Sequence, residues 1–350
     1  MRAVVMEQFG EPLKVYDDWS DPECRPTDVT IKVEACGICR SDYTLWNGGM
    51  EWVGVVPPLP SVMGHEYCGT VEEVGSEVKG FRKGDRVVSP FCQGCGTCEH
   101  CSAGHENVCD NLEIPGMHFT GGFATYTKVA NADVNLVPLP ESISFAEAAG
   151  MGCRFVTSYH GVVDRAAVQP GEWVAVFACG GVGLAAVNIA AAYGANVIAV
   201  SRSEEKLALA RQLGAAHTVT AGPDAPGEIV ELTGGGAHVT VDALGSAATA
   251  IPSIMSLRTR GRHLRLGGSN KEEQGQIEIP VDIFVFREMS FLGSFGMQAA
   301  RYPEMLAMVE SGRLNPGLMV GDTVGLEATG NILASMADFD TVAMSVITEF

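Results

Sequence analysis

Hydrophobic and polar positions follow two different rhythms along this chain, and the change falls near residue 150. Upstream, short apolar runs are separated by Gly- and Pro-rich turns: 29–33 (Val-Thr-Ile-Lys-Val), 69–75 (Gly-Thr-Val-Glu-Glu-Val-Gly) and 84–88 (Gly-Asp-Arg-Val-Val). These read as strands, as does the opening 1–7, and they predict a compact β-rich domain over 1–150. Downstream, strand-length runs alternate with helical stretches. An apolar run at 172–177 is followed by an Ala-rich stretch, 184–193, that stops at Gly194, and then by a second run at 196–200. Further runs at 237–242 and 261–267 continue the alternation, which predicts an α/β domain over 151–288 with a doubly wound parallel sheet. The tail, 289–350, holds an apolar segment at 289–293, a helix-like stretch at 303–309 and a closing strand at 346–348, read as returning to the first domain.

Between the first two runs of the α/β region lies Phe177-Ala178-Cys179-Gly180-Gly181-Val182-Gly183. A strand, a tight glycine turn, a helix and a second strand form the context that dinucleotide binding requires. Gly180 lets backbone approach a pyrophosphate without a Cβ in the way, and Gly183 lets the helix lie close on the strand. Gly181 and Val182 lie in the same candidate phosphate turn, and the N-terminus of the helix that follows offers free N–H groups and a partial positive charge that suit phosphates. Ala178 stands where the first glycine of such turns usually stands. Without its flanking elements the pattern would read as an ordinary turn.

Composition narrows the field. At 350 residues, two domains are the expectation, and 46% hydrophobic content fits a folded α/β chain. No apolar run has the length of a membrane span, and the start is too short and too quickly charged for a signal peptide; the expected setting is cytoplasmic. A net charge of −19 argues against a nucleic-acid partner, which needs a basic face. Eleven cysteines, an odd number in that setting, point to metal ligands and free thiols rather than disulfides.

The cysteines fall into two constellations. Cys95, Cys98, Cys101 and Cys109 are separated by two, two and seven residues. Four thiolates this close can surround one tetrahedral zinc with no open position, which defines a structural site; redox pairs or a disulfide cluster are the other readings. Cys92 forms an extra CxxC with Cys95 and leaves the ligand set open. The second constellation is dispersed: Cys36-Gly37-Ile38-Cys39-Arg40-Ser41-Asp42, Gly64-His65-Glu66, and Gly152-Cys153-Arg154. Three ligands from separate segments would leave a fourth position for water or substrate, the mark of a catalytic zinc. Taken singly, Cys39, His65 and Cys153 read as ordinary buried residues, and spacing alone does not make them converge.

Together these segments resemble the zinc-dependent medium-chain alcohol dehydrogenases, and the resemblance runs essentially from end to end. It implies a GroES-like catalytic domain built from both chain ends, including a zinc lobe at about 92–110, with a Rossmann domain inserted between. It implies two zinc ions per subunit, a catalytic one on Cys39, His65 and Cys153 and a structural one on Cys95, Cys98, Cys101 and Cys109. It also implies hydride transfer between a zinc-held alcohol or aldehyde and a nicotinamide cofactor. In that frame Ser41 accepts the hydroxyl proton, Asp42 orients His65, and Glu66 stands behind the ligands or serves as an alternate ligand, as in polyol-type relatives. Tyr43 and Thr44 occupy the region where some relatives carry a relay histidine, so proton exit is expected through the nicotinamide ribose or in part through Thr44. The tail reads Ala343-Met344-Ser345 where some relatives place an arginine against Asp42.

After the strand ending at Val200, NAD-preferring members place an acid, whereas this chain has Ser201-Arg202-Ser203. Losing the carboxylate removes repulsion of a 2′-phosphate, and Ser201 and Arg202 offer it a hydroxyl and a guanidinium, so NADP is expected ahead of NAD. Trp46, Trp52 and Met117 fall in segments that line the substrate pocket of relatives, which suggests bulky primary alcohols or aldehydes; plain packing is the other reading. Rival functions are a polyol or sugar dehydrogenase, a zinc-poor quinone or enone reductase of the same superfamily, and a non-catalytic nucleotide-binding protein. Family relatives are oligomers, so a homodimer or homotetramer is expected, paired through the strand near Ser290–Gly293.

Overall fold

Along the strand Val29–Gly37 only Lys32 and Glu34 escape full burial, because both faces and both edges of this strand are covered. In the computed structural model, which describes residues 1–268, 271–338 and 341–350, it is the centre of a seven-stranded sheet. One edge pairs antiparallel with Glu66–Val74. The other takes Tyr126–Val129 at one end and the last strand, Met344–Glu349, at the other. Val320–Gly325 lies parallel to that last strand, and Arg86–Val88 and Val137–Pro138 extend the opposite side. Apolar side chains such as Val4, Met6, Ile31, Val33, Phe123 and Leu326 form one continuous core beneath it.

Two compact units divide the chain: Met1–Val156 with Gly296–Gly312 and Pro316–Phe350, and Thr157–Phe295 with Arg313–Asn315. The second unit holds six parallel strands, Trp173–Phe177, Asn196–Ser201, His217–Thr220, Ala237–Asp242, Leu257–Arg265 and Ser290–Gly293. In space they run third, second, first, fourth, fifth, sixth, the order of a doubly wound dinucleotide-binding sheet. The strand Ser290–Gly293, which the sequence reading assigns to the returning tail, is instead the outermost strand of this sheet. Its residues pair with Arg262 to Arg265, and the chain re-enters the first unit only at Gly296. A four-residue apolar run carries no mark of which neighbour it will pair with.

The helix Gly181–Ala192 has no polar face to show: residues 183 to 190 are all buried, as expected of a helix covered on every side. Its start packs against the preceding turn so closely that a Cβ on Gly183 would sit 2.0 Å from the Ala178 carbonyl oxygen. Ala178 itself adopts a φ of 71°, the left-handed region.

An L-residue in that region costs about 1–2 kcal/mol, whereas glycine costs about 0.5–1 kcal/mol in the unfolded chain. Ala178→Gly is therefore expected to stabilise the protein by about 0.5–1 kcal/mol, and Gly183→Ala to destabilise it by more. Urea denaturation measures both, and a midpoint lowered by Ala178→Gly would mean that the turn holds no strain.

Candidate metal centres and cofactor turn

The dispersed constellation does converge. Cys39 lies at the N-cap of the helix Arg40–Trp46, Glu66 opens the strand Glu66–Val74 directly after His65, and Cys153 opens the helix Cys153–Tyr159. One ligand atom from each of Cys39, His65, Glu66 and Cys153 lies within 4.8 Å of every other. Asp42 joins the segments. One carboxylate oxygen accepts the backbone N–H of Cys39 at 3.0 Å; the other accepts the Gly64 N–H at 3.3 Å and the Nδ1–H of His65 at 2.8 Å. With Nδ1 engaged by Asp42, His65 presents Nε2 to the two cysteines. The ring edge of Phe91 packs on the imidazole at 5.7 Å between centroids.

The acid–base state of the cluster is that of a cation site. A hydrogen bond from the Cys153 thiol holds Cys39 well below the ordinary cysteine range, against its burial and with help from His65. The same bond, together with burial, drives Cys153 well above that range. Burial pushes the His65 imidazolium down, but Asp42 and the Cys39 thiolate outweigh it and leave the group well above its usual value. Two thiolates and an imidazole would be available here to hold a divalent cation in place of the shared protons. The donor set fits zinc, which takes sulfur and nitrogen ligands readily.

Arg154 has no role in the sequence reading, yet it is the partner of Glu66: its Nη2 donates to Oε2 at 3.2 Å, and its backbone N–H donates to Oε1 at 3.2 Å. Burial raises the Glu66 carboxyl to about 7, against the pull of Arg154. The available signal was position, since Arg154 directly follows a ligand cysteine. Asp42 takes its bonds from Cys39, Gly64 and His65, without the C-terminal arginine of some relatives.

The compact constellation is a four-thiol cluster. Cys98 and Cys109 sulfurs are 3.7 Å apart and those of Cys95 and Cys101 are 4.0 Å apart, too long for disulfides. Zn–S bonds of about 2.3 Å give tetrahedral S···S edges of about 3.8 Å, so the spacing fits zinc. Backbone N–H groups of Cys95, Cys101 and Asn111 point at these sulfurs, and Thr97 holds Cys95 down to about 5. Burial pushes Cys101 up to about 12. Cys92 is fully buried and stands outside the cluster.

At the glycine turn, Gly180 is the N-cap of the helix Gly181–Ala192 and no side chain caps it. A Cβ on Gly180 would meet nothing within 4 Å, so the space beside this residue is open, and an uncapped helix start suits a pyrophosphate. The Val182 carbonyl accepts the Ser158 hydroxyl at 2.8 Å. Ser201 ends its strand, buried, with its Oγ accepting the Ser203 N–H at 3.3 Å; Arg202 is exposed and forms no ion pair among the described residues.

Other expected site residues are placed as follows. Ser41 Oγ lies 3.8 Å from Cys39 Sγ. Thr44 donates its hydroxyl back to the Arg40 carbonyl at 3.0 Å. Trp46 donates its indole N–H to the Glu11 carbonyl at 2.7 Å and, like Met117, packs against the core of the first unit. Trp52 sits exposed on the turn Glu51–Val53. No helix among the described residues is long and apolar enough to cross a membrane.

Comparison with known proteins agrees with this geometry. Residues 25–141 match the alcohol dehydrogenase GroES-like domain family, and residues 181–311 match the zinc-binding dehydrogenase family. An alcohol dehydrogenase of Geobacillus stearothermophilus is 37% identical over 90% of each chain. A solved NAD-dependent alcohol dehydrogenase superposes with a TM-score of 0.89 at 35% identity, covering 100% of both chains. A candidate zinc-binding dehydrogenase from Sinorhizobium meliloti 1021, solved with NADP bound, gives 0.86 at 30% identity over 99% of this chain and 98% of that one. With both halves matched and the ligand constellation assembled, the chain belongs to the zinc-type medium-chain alcohol dehydrogenase family.

Proposed function

We propose that this protein is a zinc-dependent alcohol dehydrogenase and aldehyde reductase, acting on bulky primary alcohols or aldehydes with NADP(H) ahead of NAD(H). The observation that carries the reading is the convergent Cys39–His65–Cys153 set, with Cys39 and His65 buried and the histidine oriented by Asp42. These three residues would hold the catalytic zinc, and Cys95, Cys98, Cys101 and Cys109 a second, closed one. When bound, zinc supplies Lewis acidity toward an alcohol or carbonyl oxygen, and the nicotinamide supplies the two-electron partner.

The remaining work falls to side chains. Asp42 fixes the His65 tautomer and also holds the Cys39 backbone, so two ligands share one anchor. Ser41, beside Cys39, is the hydroxyl best placed to take the substrate proton. Thr44 spends its own proton on the Arg40 carbonyl and serves at most as an acceptor further out. Trp46, Trp52 and Met117 would flank an apolar substrate. Gly180, Gly181, Val182 and Gly183 would receive the pyrophosphate, and Ser201 with Arg202 the 2′-phosphate; the exposed Arg202 guanidinium, without an ion pair among the described residues, supports that choice. A homodimer is the proposed assembly. Among the described residues the strand Ser290–Gly293 has a neighbour on one side only, and Val281, Val285 and Phe286, on the helix before it, are 61%, 68% and 84% exposed.

Three outcomes are expected. Metal analysis returns two zinc per chain; Cys109→Ser leaves one and lowers thermal stability, whereas Cys39→Ser leaves one and abolishes turnover. Initial rates on primary, secondary and polyhydric alcohols are highest with bulky primary substrates and NADP, and Ser201→Asp lowers the NADP-to-NAD preference by about tenfold or more through like-charge repulsion. An unchanged preference would overturn the cofactor assignment, and activity confined to polyols would overturn the substrate class. Phe286→Glu shifts the protein toward monomer in light scattering; an unshifted mass would remove this edge from the assembly.

A further inference from the structure

The ligand cluster contains one donor too many. Glu66 brings a carboxylate oxygen within 4.8 Å of the three other ligand atoms, so distance alone would make it a fourth ligand. Two thiolates, an imidazole and a carboxylate would fill a tetrahedral zinc and leave no position for substrate, which is the arrangement of a structural site. Something must decide whether this centre is open or closed.

We propose that Arg154 makes that decision: it holds Glu66 off the metal and keeps the fourth position of the Cys39–His65–Cys153 centre open. The inference rests on the zinc reading of that centre. Both carboxylate oxygens are engaged by this one residue. Oε1 accepts the Arg154 backbone N–H at 3.2 Å and Nε–H at 3.4 Å, and Oε2 accepts Nη2–H at 3.2 Å. The guanidinium is itself anchored, since Nη2 also donates to the Ile38 carbonyl at 3.0 Å, one residue before Cys39. The pair is buried, with side-chain exposures of 11% for Arg154 and 0% for Glu66, so neither charge has water to fall back on when the other leaves.

The backbone completes the restraint. A Cβ on Gly37 would sit 2.6 Å from Glu66 Oε2, and one on Gly152 would sit 2.4 Å from the Glu66 Cβ. Two glycines therefore form a slot cut to this side chain, and the Arg154 fork closes its end. Arg154 is assigned the part of a positioning residue, acting through Glu66.

The sign of its effect on metal retention separates this role from a merely structural one. Removing the cation frees a carboxylate to ligate, so the metal should be held more firmly while the open position is lost. The test uses zinc and cobalt-substituted holoenzymes of wild type, Arg154→Gln, and the Glu66→Gln/Arg154→Gln pair. Imidazole is titrated against the visible cobalt bands, and loss of the catalytic metal to a chelator is timed. Arg154→Gln is expected to weaken imidazole binding about 10–100-fold and to slow metal loss, and the double variant to restore both. Wild-type imidazole affinity, faster metal loss, or no restoration in the double variant would each overturn the proposal. Should Arg154→Gln not fold, Arg154→Lys, which keeps the charge without the two-pronged grip, is expected to weaken imidazole binding in the same direction, and wild-type affinity there overturns it. A wild-type holoenzyme with one zinc per chain would remove the zinc reading and this inference together, a failure recognisable before any variant is made.

Discussion

The candidate site depends first on a single carboxylate. Asp42 accepts from the Cys39 backbone, the Gly64 backbone and the His65 ring, and those three groups come from a helix start and from the stretch entering a strand. Without that acceptor, two buried N–H donors and the imidazole would lose their partner together, at about 1–3 kcal/mol for each orphaned donor. The ligand geometry is thus held by hydrogen bonds within the protein itself. The sheet supports them: Cys36 and Gly37 lie between Tyr67 and Glu66 on one side and Ile347 and Val346 on the other.

Burial makes the charges around this centre interdependent. Asp42, His65, Glu66 and Cys39 are each at most 6% exposed, a setting in which an isolated charge is costly and a paired one is tolerable. Each has its partner: Asp42 with His65, Glu66 with Arg154, Cys39 with Cys153. Such a set is stable as a whole, and a change at one member is felt by its neighbours through the same low-dielectric medium. The four-thiol lobe is built differently, near the surface, from sulfurs only. Backbone N–H groups there lower the cost of the thiolates, and no side chain of the opposite charge is needed.

Legibility from sequence follows the distance over which each feature is encoded. Cys95 to Cys109 span one short segment, so their spacing alone brings the sulfurs together. The glycine turn is equally local: Gly183 is demanded by the Ala178 carbonyl five residues earlier. Cys39, His65 and Cys153 are separated by long stretches, and only resemblance brought them together in the reading; two strands of one sheet and a helix start do so in the molecule. Sequence alone assigns the strand Ser290–Gly293 to the returning tail, because apolar content specifies a strand and not its neighbour.

The sequence by itself determined the β-rich and α/β regions, the four-cysteine lobe and the glycine turn, because periodicity and short spacing act through neighbouring residues. Tertiary structure alone decided that Arg154 pairs with Glu66, that Asp42 takes its bonds without a C-terminal arginine, and that Cys92 stands apart from the four-cysteine lobe. Each of these is a contact, or the lack of one, between side chains whose directions are set by packing, and packing is a property of the whole folded unit.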